Sequence, residues 1–195
     1  VNIVVTGNQT EITKNIIETE IYGKPKTVHL ALIGHGNVGG TLVEQILDSA
    51  YDILNRKRVD LKIVAIANAK KIAFNKAGFG SDWRQNIKYS TTDSSVDSLV
   101  DFAKEHHLEN LVMVDNTASK DFVKHYPTFV DNGFDIVGSN KIYNTLPIAE
   151  YRNFRKLLEK NKKKYLYETN VGAGLPLIDT IKLLHLSGEN ITRIK

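Results

Sequence analysis

Val28-His29-Leu30-Ala31-Leu32-Ile33-Gly34-His35-Gly36-Asn37-Val38-Gly39-Gly40 is the stretch on which the fold turns. Its first half is a short apolar run, as expected of a strand buried on both faces. Its second half carries glycines at 34, 36 and 39, the spacing G-x-G-x-x-G. After it, Val38, Leu42, Val43, Ile46, Leu47, Ile53 and Leu54 repeat at helical spacing. A second apolar run, Leu61 to Ala67, completes a β–α–β unit. In that context each glycine has a separate task. Gly34 permits the tight turn, Gly36 leaves room for a dinucleotide pyrophosphate, and Gly39 lets helix and strand pack closely. The N–H groups of the first helical turn then face the phosphates, aided by the helix dipole.

Strand-like and helix-like segments keep alternating downstream. Helices are expected at Val96 to His107, Ser119 to Asn132 and Ile148 to Lys162, and from Pro176 to about Gly188. In the second of these Ser119 is the N-cap, Pro127 kinks or splits the helix and Gly133 ends it. Strands are expected at Leu111 to Val114, Phe134 to Val137 and Tyr165 to Tyr167. Ala69 to Ser95, rich in Gly, Asn, Ser and Thr, reads as a long irregular excursion. Val1 to Lys26 reads as an extension or the remnant of an upstream module, with a strand-like Asn2 to Thr6 and an ambiguous Glu11 to Ile21. The fold class is therefore α/β: a doubly wound, mostly parallel sheet of Rossmann type. The dinucleotide-binding domain would span 27–175, and 176–195 would start a second, catalytic and dimerising region.

Composition narrows the chemistry. The chain has 195 residues and no cysteine, which excludes disulfide scaffolds, thiolate metal sites and cysteine nucleophiles. A semialdehyde dehydrogenase working through a thioester is thereby excluded. A net charge of +4 with no basic stripe gives no nucleic-acid footprint. No run approaches the roughly 18 apolar residues of a membrane span. With no signal peptide, the cytoplasm is the expected compartment. A short-chain dehydrogenase would need Tyr-x-x-x-Lys on a helix. The one match, Tyr22 with Lys26, precedes the glycine turn and crosses Pro25.

In an open α/β sheet, ligands sit beyond the carboxyl ends of the strands. The second strand ends in Asn68, Lys70 and Lys71, where an NAD enzyme would carry an acid for the ribose 2′-hydroxyl. A neutral residue and two cations favour NADP, with NAD still possible. The later strands end in Asp115-Asn116-Thr117-Ala118-Ser119, Ser139-Asn140-Lys141 and Glu168 to Pro176, all expected to converge on the glycine turn. Lys141, expected to be partly buried, could stabilise a developing alkoxide. The six histidines show no metal-ligand spacing and are read as structural.

At these residues the chain resembles the homoserine dehydrogenase family, above all the dehydrogenase half of bifunctional aspartokinase–homoserine dehydrogenases. The matching pieces are Ile33 to Gly40, Val114 to Ser119, Ser139-Asn140-Lys141 and Glu168 to Pro176. Many members carry proline where this chain has Ser139. The resemblance implies NAD(P)-linked interconversion of L-aspartate 4-semialdehyde and L-homoserine, on the route to threonine and methionine. It implies that Gly36, Asn37 and Val38 hold the pyrophosphate. Asn116, Thr117 and Ser139 would line the nicotinamide side, with Lys141 as the catalytic lysine. Glu168 and the carbonyls of Val171, Ala173 and Leu175 would hold a monovalent cation, sodium. It further implies a homo-oligomer formed through the region beyond Leu175, with acidic substrate-binding residues and a second lysine lying past Lys195. A non-catalytic dinucleotide-binding regulatory module is the competing reading.

Overall fold

The structure is a computed structural model that describes residues 23–193. The expectations for Asn2 to Thr6 and Glu11 to Ile21 lie outside the described residues. Within them the chain alternates strand and helix. The strands are β1 (Lys26–Ile33), β2 (Val59–Ala67), β3 (Ile72–Phe74), β4 (Leu111–Asp115), β5 (Asp135–Gly138) and β6 (Tyr165–Leu166). The helices are α1 (Asn37–Lys57), α2 (Trp83–Tyr89), α3 (Val96–Glu105), α4 (Tyr126–Asp131), α5 (Ile148–Asn161) and α6 (Leu177–Leu186). The sheet order is β3-β2-β1-β4-β5-β6, parallel except for the antiparallel edge strand β3.

Alternation along β1 explains the two layers of helices. Leu30 and Leu32 point to one core with Val43 of α1 and Trp83 and Ile87 of α2. Ala31 and Ile33 point to the other, with Leu99 of α3, Phe129 of α4 and Phe154 of α5. The strand is apolar throughout its second half because both of its faces are covered. Leu30 pairs with Ile63 but Ala31 with Ala65, so Val64 is an extra residue in β2, a bulge. Beyond it the register brings Ile33 opposite both Ala67 and Asp115, and Asp115 opposite Gly138. Four strands therefore end at one level. β1 lies between β2 and β4, with α1 packed on one face of the sheet and α3 on the other, the switch point where doubly wound sheets bind ligands.

Three expectations about secondary structure need correction. Ala69 to Ser95 is not irregular: it contains β3 and α2. Asn68 Oδ1 accepts from the N–H groups of Lys70 and Lys71, both at 2.8 Å, which reverses the chain and lays β3 back along β2. The side chain of Trp83 is fully buried and anchors α2 against the sheet. Ser119 to Asn132 is not one helix. A 3₁₀ turn over Phe122–His125 precedes α4, with Pro127 in the first turn of the latter, where its missing N–H is harmless. Ser119 Oγ does accept from Phe122 N–H at 3.1 Å, and Gly133 closes the segment at φ +86°. The last helix starts at Leu177, with Pro176 as its cap rather than its first residue.

Candidate functional site: the glycine corner and its neighbouring loops

The corner between β1 and α1 is pinned on both sides. Gly34 N–H donates to Ala67 O at 2.8 Å and Asn116 N–H to Ile33 O at 2.9 Å. Gly34 has φ +85°, and a Cβ there would lie 2.9 Å from Thr117 Cγ2. A Cβ on Gly39 would sit 1.8 Å from Gly34 O, so helix and turn are in backbone contact. A Cβ on Gly36 would meet nothing within 4 Å. The first two requirements are internal to the protein, whereas the third glycine borders open space. Gly36 caps α1 in an extended conformation with no side-chain hydrogen bond, and the first turn holds no acid. The N–H groups at Asn37 and Val38 thus start a helix that has supplied no acceptor of its own, a site suited to an anion.

Next to the corner, Asp115 ends β4 with its side chain fully buried. Its carboxylate accepts from Thr117 N–H at 2.7 Å, Tyr126 O–H at 2.8 Å and Asn140 Nδ2 at 3.1 Å. The carbonyl of Asp115 accepts from Ser139 N–H at 2.9 Å. One residue thus ties the Asn116–Thr117 turn to the Ser139–Lys141 loop. Burial first, and the Asp115 charge second, push the Tyr126 hydroxyl far above its usual range, so it stays a donor. Tyr126→Phe would leave the buried carboxylate one donor short. The expected loss is about 1–3 kcal/mol of stability, read by denaturant unfolding. Unchanged stability would show that the hydroxyl does not matter to the network.

Asn116 Nδ2 is buried without a hydrogen-bond partner, while its Oδ1 accepts from Ser139 Oγ at 3.3 Å. An orphaned donor beside a glycine turn is what a polar ligand would satisfy. Lys141 is exposed rather than partly buried, free of the neighbouring network.

At the end of β2 the expected pair of cations separates. Lys71 is bound to Asp93 at 2.7 Å and to Thr91 O at 3.0 Å, so it does not face the corner freely. Lys70 is exposed. Asn68 spends Oδ1 on its own turn and turns Nδ2 to His35 Nε2 at 3.3 Å. A small cavity of about 180 Å³ joins His35 and Asn68 to Trp83, Arg84 and Lys88. The cations that line this cavity are therefore Arg84 and Lys88, not the expected Lys70 and Lys71. Sequence reading missed both, because they sit on α2, inside the segment read as irregular. His35, read as structural, lies in the corner itself, edge-on to Trp83 at 5.8 Å between ring centroids. Asn68 also lines a larger cleft of about 620 Å³, shared with Ala69, Ser95, Thr117, Ala118 and Phe122.

The Glu168 to Pro176 segment adjoins the same end of the sheet, with Asn170 Nδ2 donating to Gly138 O at 3.0 Å. Glu168 accepts from Ile178 N–H at 2.8 Å and Asp179 N–H at 3.0 Å, capping α6 with both carboxylate oxygens. Leu175 O accepts from Leu177 N–H at 2.8 Å. Among the described residues no group of three His, Asp or Glu side chains could hold a metal ion.

Comparison with known proteins identifies the family. The homoserine dehydrogenase NAD binding domain matches residues 34–168. A bifunctional aspartokinase/homoserine dehydrogenase of Buchnera aphidicola is 40% identical over 92% of this chain, which spans 22% of that relative's length. Among solved structures, a Candida auris protein of unknown function superposes with TM-score 0.70 at 27% identity, over 84% of this chain and 44% of that one. A hyperthermophilic archaeal homoserine dehydrogenase in complex with NADPH shares the fold, with TM-score 0.60 at 21% identity, over 80% of this chain and 48% of that one. The glycine corner, the Asp115 junction and the family match lie on the same residues, and the chain belongs to the homoserine dehydrogenase family through its NAD-binding domain.

Proposed function

We propose that this chain is the NADP(H)-binding portion of a homoserine dehydrogenase that interconverts L-aspartate 4-semialdehyde and L-homoserine. The observation that carries the reading is the corner itself: an open cradle at Gly36 beside a buried, partnerless Asn116 Nδ2. Both fit a dinucleotide. The N–H groups of Asn37 and Val38 would hold the pyrophosphate, with Gly34 and Gly39 keeping the turn close to the helix. Asn116, Thr117 and Ser139 would line the nicotinamide side. Asn68 has no oxygen left for a ribose hydroxyl, while Lys70, Arg84 and Lys88 offer charge to a 2′-phosphate, so NADP(H) is preferred to NAD(H).

When bound, the nicotinamide supplies or accepts the hydride. Lys141 Nζ, exposed beside that ring's expected place, would donate to the substrate oxygen and stabilise its negative charge. Asp115, through Asn140, holds the loop that carries it. The sodium ion expected on Glu168 and the carbonyls of Val171, Ala173 and Leu175 is part of the same proposal. Glu168 Oε1 and Oε2 and Leu175 O each accept one N–H and keep a lone pair for a hard cation, and no step is derived through it.

We place the boundary to the catalytic and oligomerising region at Leu175. In support, α6 buries none of its residues, leaving Leu183 and Leu186 on the surface. No described helix is long and apolar enough to cross a membrane, and a cytoplasmic, homo-oligomeric enzyme is part of the same proposal.

Calorimetric titration of the chain with NADPH and NADH tests the cofactor half, with saturable binding and tighter NADPH expected. Oxidation of L-homoserine by the whole gene product tests the activity. Binding without any turnover there would favour the regulatory module instead.

A further inference from the structure

Glu44 is an acid on α1 that faces the cationic corner, an arrangement the cofactor reading does not need. Its Oε1 accepts from both Trp83 Nε1 and Arg84 Nη2, each at 3.0 Å. The Arg84 guanidinium carbon lies over the indole, 4.3 Å from the ring centroid. Both of its terminal nitrogens come within 3.7 Å of where a Cβ on Gly40 would stand. An otherwise mobile arginine is thus held at one place, against the first turn of α1 and in the cavity shared with His35, Asn68 and Lys88. The pair is half exposed, with side-chain accessibilities of 61% and 45%. At that exposure its contribution to stability is small. What it does fix is the position and the net charge of the corner.

Resting on the NADP(H) reading above, we propose that Glu44 is a specificity-determining residue that acts through Arg84. It aims the guanidinium at the adenosine 2′-position and at the same time offsets part of its charge. The preference for a 2′-phosphate over a 2′-hydroxyl is thereby graded rather than maximal. The carboxylate is turned onto Trp83 and Arg84, so it acts on the phosphate only through the arginine's charge, and the aimed arginine still attracts the phosphate because it can reach the oxygens directly.

Glu44→Gln isolates the charge, because the amide oxygen can still accept from Trp83 and Arg84. Calorimetry on the chain measures Kd for NADPH and NADH in the wild type, Glu44→Gln, Arg84→Ala and the double variant. Glu44→Gln should tighten NADPH about three- to fivefold, the size of one partly exposed charge, and leave NADH within about twofold. Arg84→Ala should weaken NADPH roughly tenfold or more, the loss of a charge-assisted contact, and Glu44→Gln should then have no further effect. A Glu44→Gln effect that is equal for the two dinucleotides, or that survives in the Arg84→Ala background, overturns this role for Glu44 alone. If the wild type binds neither dinucleotide, the cofactor reading falls and this inference with it.

Discussion

Gly36→Val abolishes dinucleotide binding while leaving the chain folded. A Cβ on Gly36 meets nothing within 4 Å in the protein, so the fold should lose little. The same branched side chain fills the space above the first N–H groups of α1, where a pyrophosphate must approach the backbone. The expected readout is an unchanged circular dichroism spectrum and melting temperature, with no saturable heat on NADPH titration. Gly39→Ala behaves in the opposite way. Its Cβ would lie 1.8 Å from Gly34 O, so turn and helix must separate and stability falls along with binding. If Gly36→Val binds NADPH like the wild type, the corner is not the phosphate site and the functional reading fails.

Lys141→Ala in the whole gene product should reduce kcat by roughly a hundredfold or more, the range for losing a positioned proton donor or electrostatic stabiliser. NADPH affinity should stay within a few fold, because the corner that holds the phosphates is built from other residues. The argument rests on position. Asn140 is locked to Asp115 by its Nδ2 and to Ile142 by its Oδ1, at 3.1 and 3.0 Å. The backbone on both sides of Lys141 is therefore fixed, in the loop that follows β5, while its own side chain is exposed. A near-normal rate in this variant would remove Lys141 from the chemistry. A loss of affinity equal to the loss of rate would make it a binding residue only.

The parts of the fold legible in the sequence are those governed by local periodicity. β1, α1, β2 and β4 each carry enough consecutive apolar or helical spacing to be read without a partner. The glycine spacing is legible for the same reason, since all three glycines fall within six residues and act on one turn. β3 and α2 are not legible. β3 has three residues and α2 has seven, too few for a periodic signal, and both are held by contacts distant in sequence. Trp83 finds Glu44, 39 residues earlier, and no local pattern announces such a pairing. The same gap hid Arg84, and it led to Lys71 being read as a free cation when Asp93, 22 residues on, already holds it. The split of Ser119 to Asn132 was visible in Pro127, but the switch to a 3₁₀ turn came from packing Phe122 and Tyr126 against the core. The exposure of Lys141 depends on the tertiary fit of its loop, which residue type alone does not report.

Trp83 is the sole tryptophan of the chain, and it stands between His35 of the glycine turn and the guanidinium of Arg84. The indole is sealed from water and bordered by the two groups that an arriving nucleotide would disturb first. Its emission is therefore a built-in optical gauge of that corner. Selective excitation near the red edge of indole absorption would follow occupancy in real time, without any label.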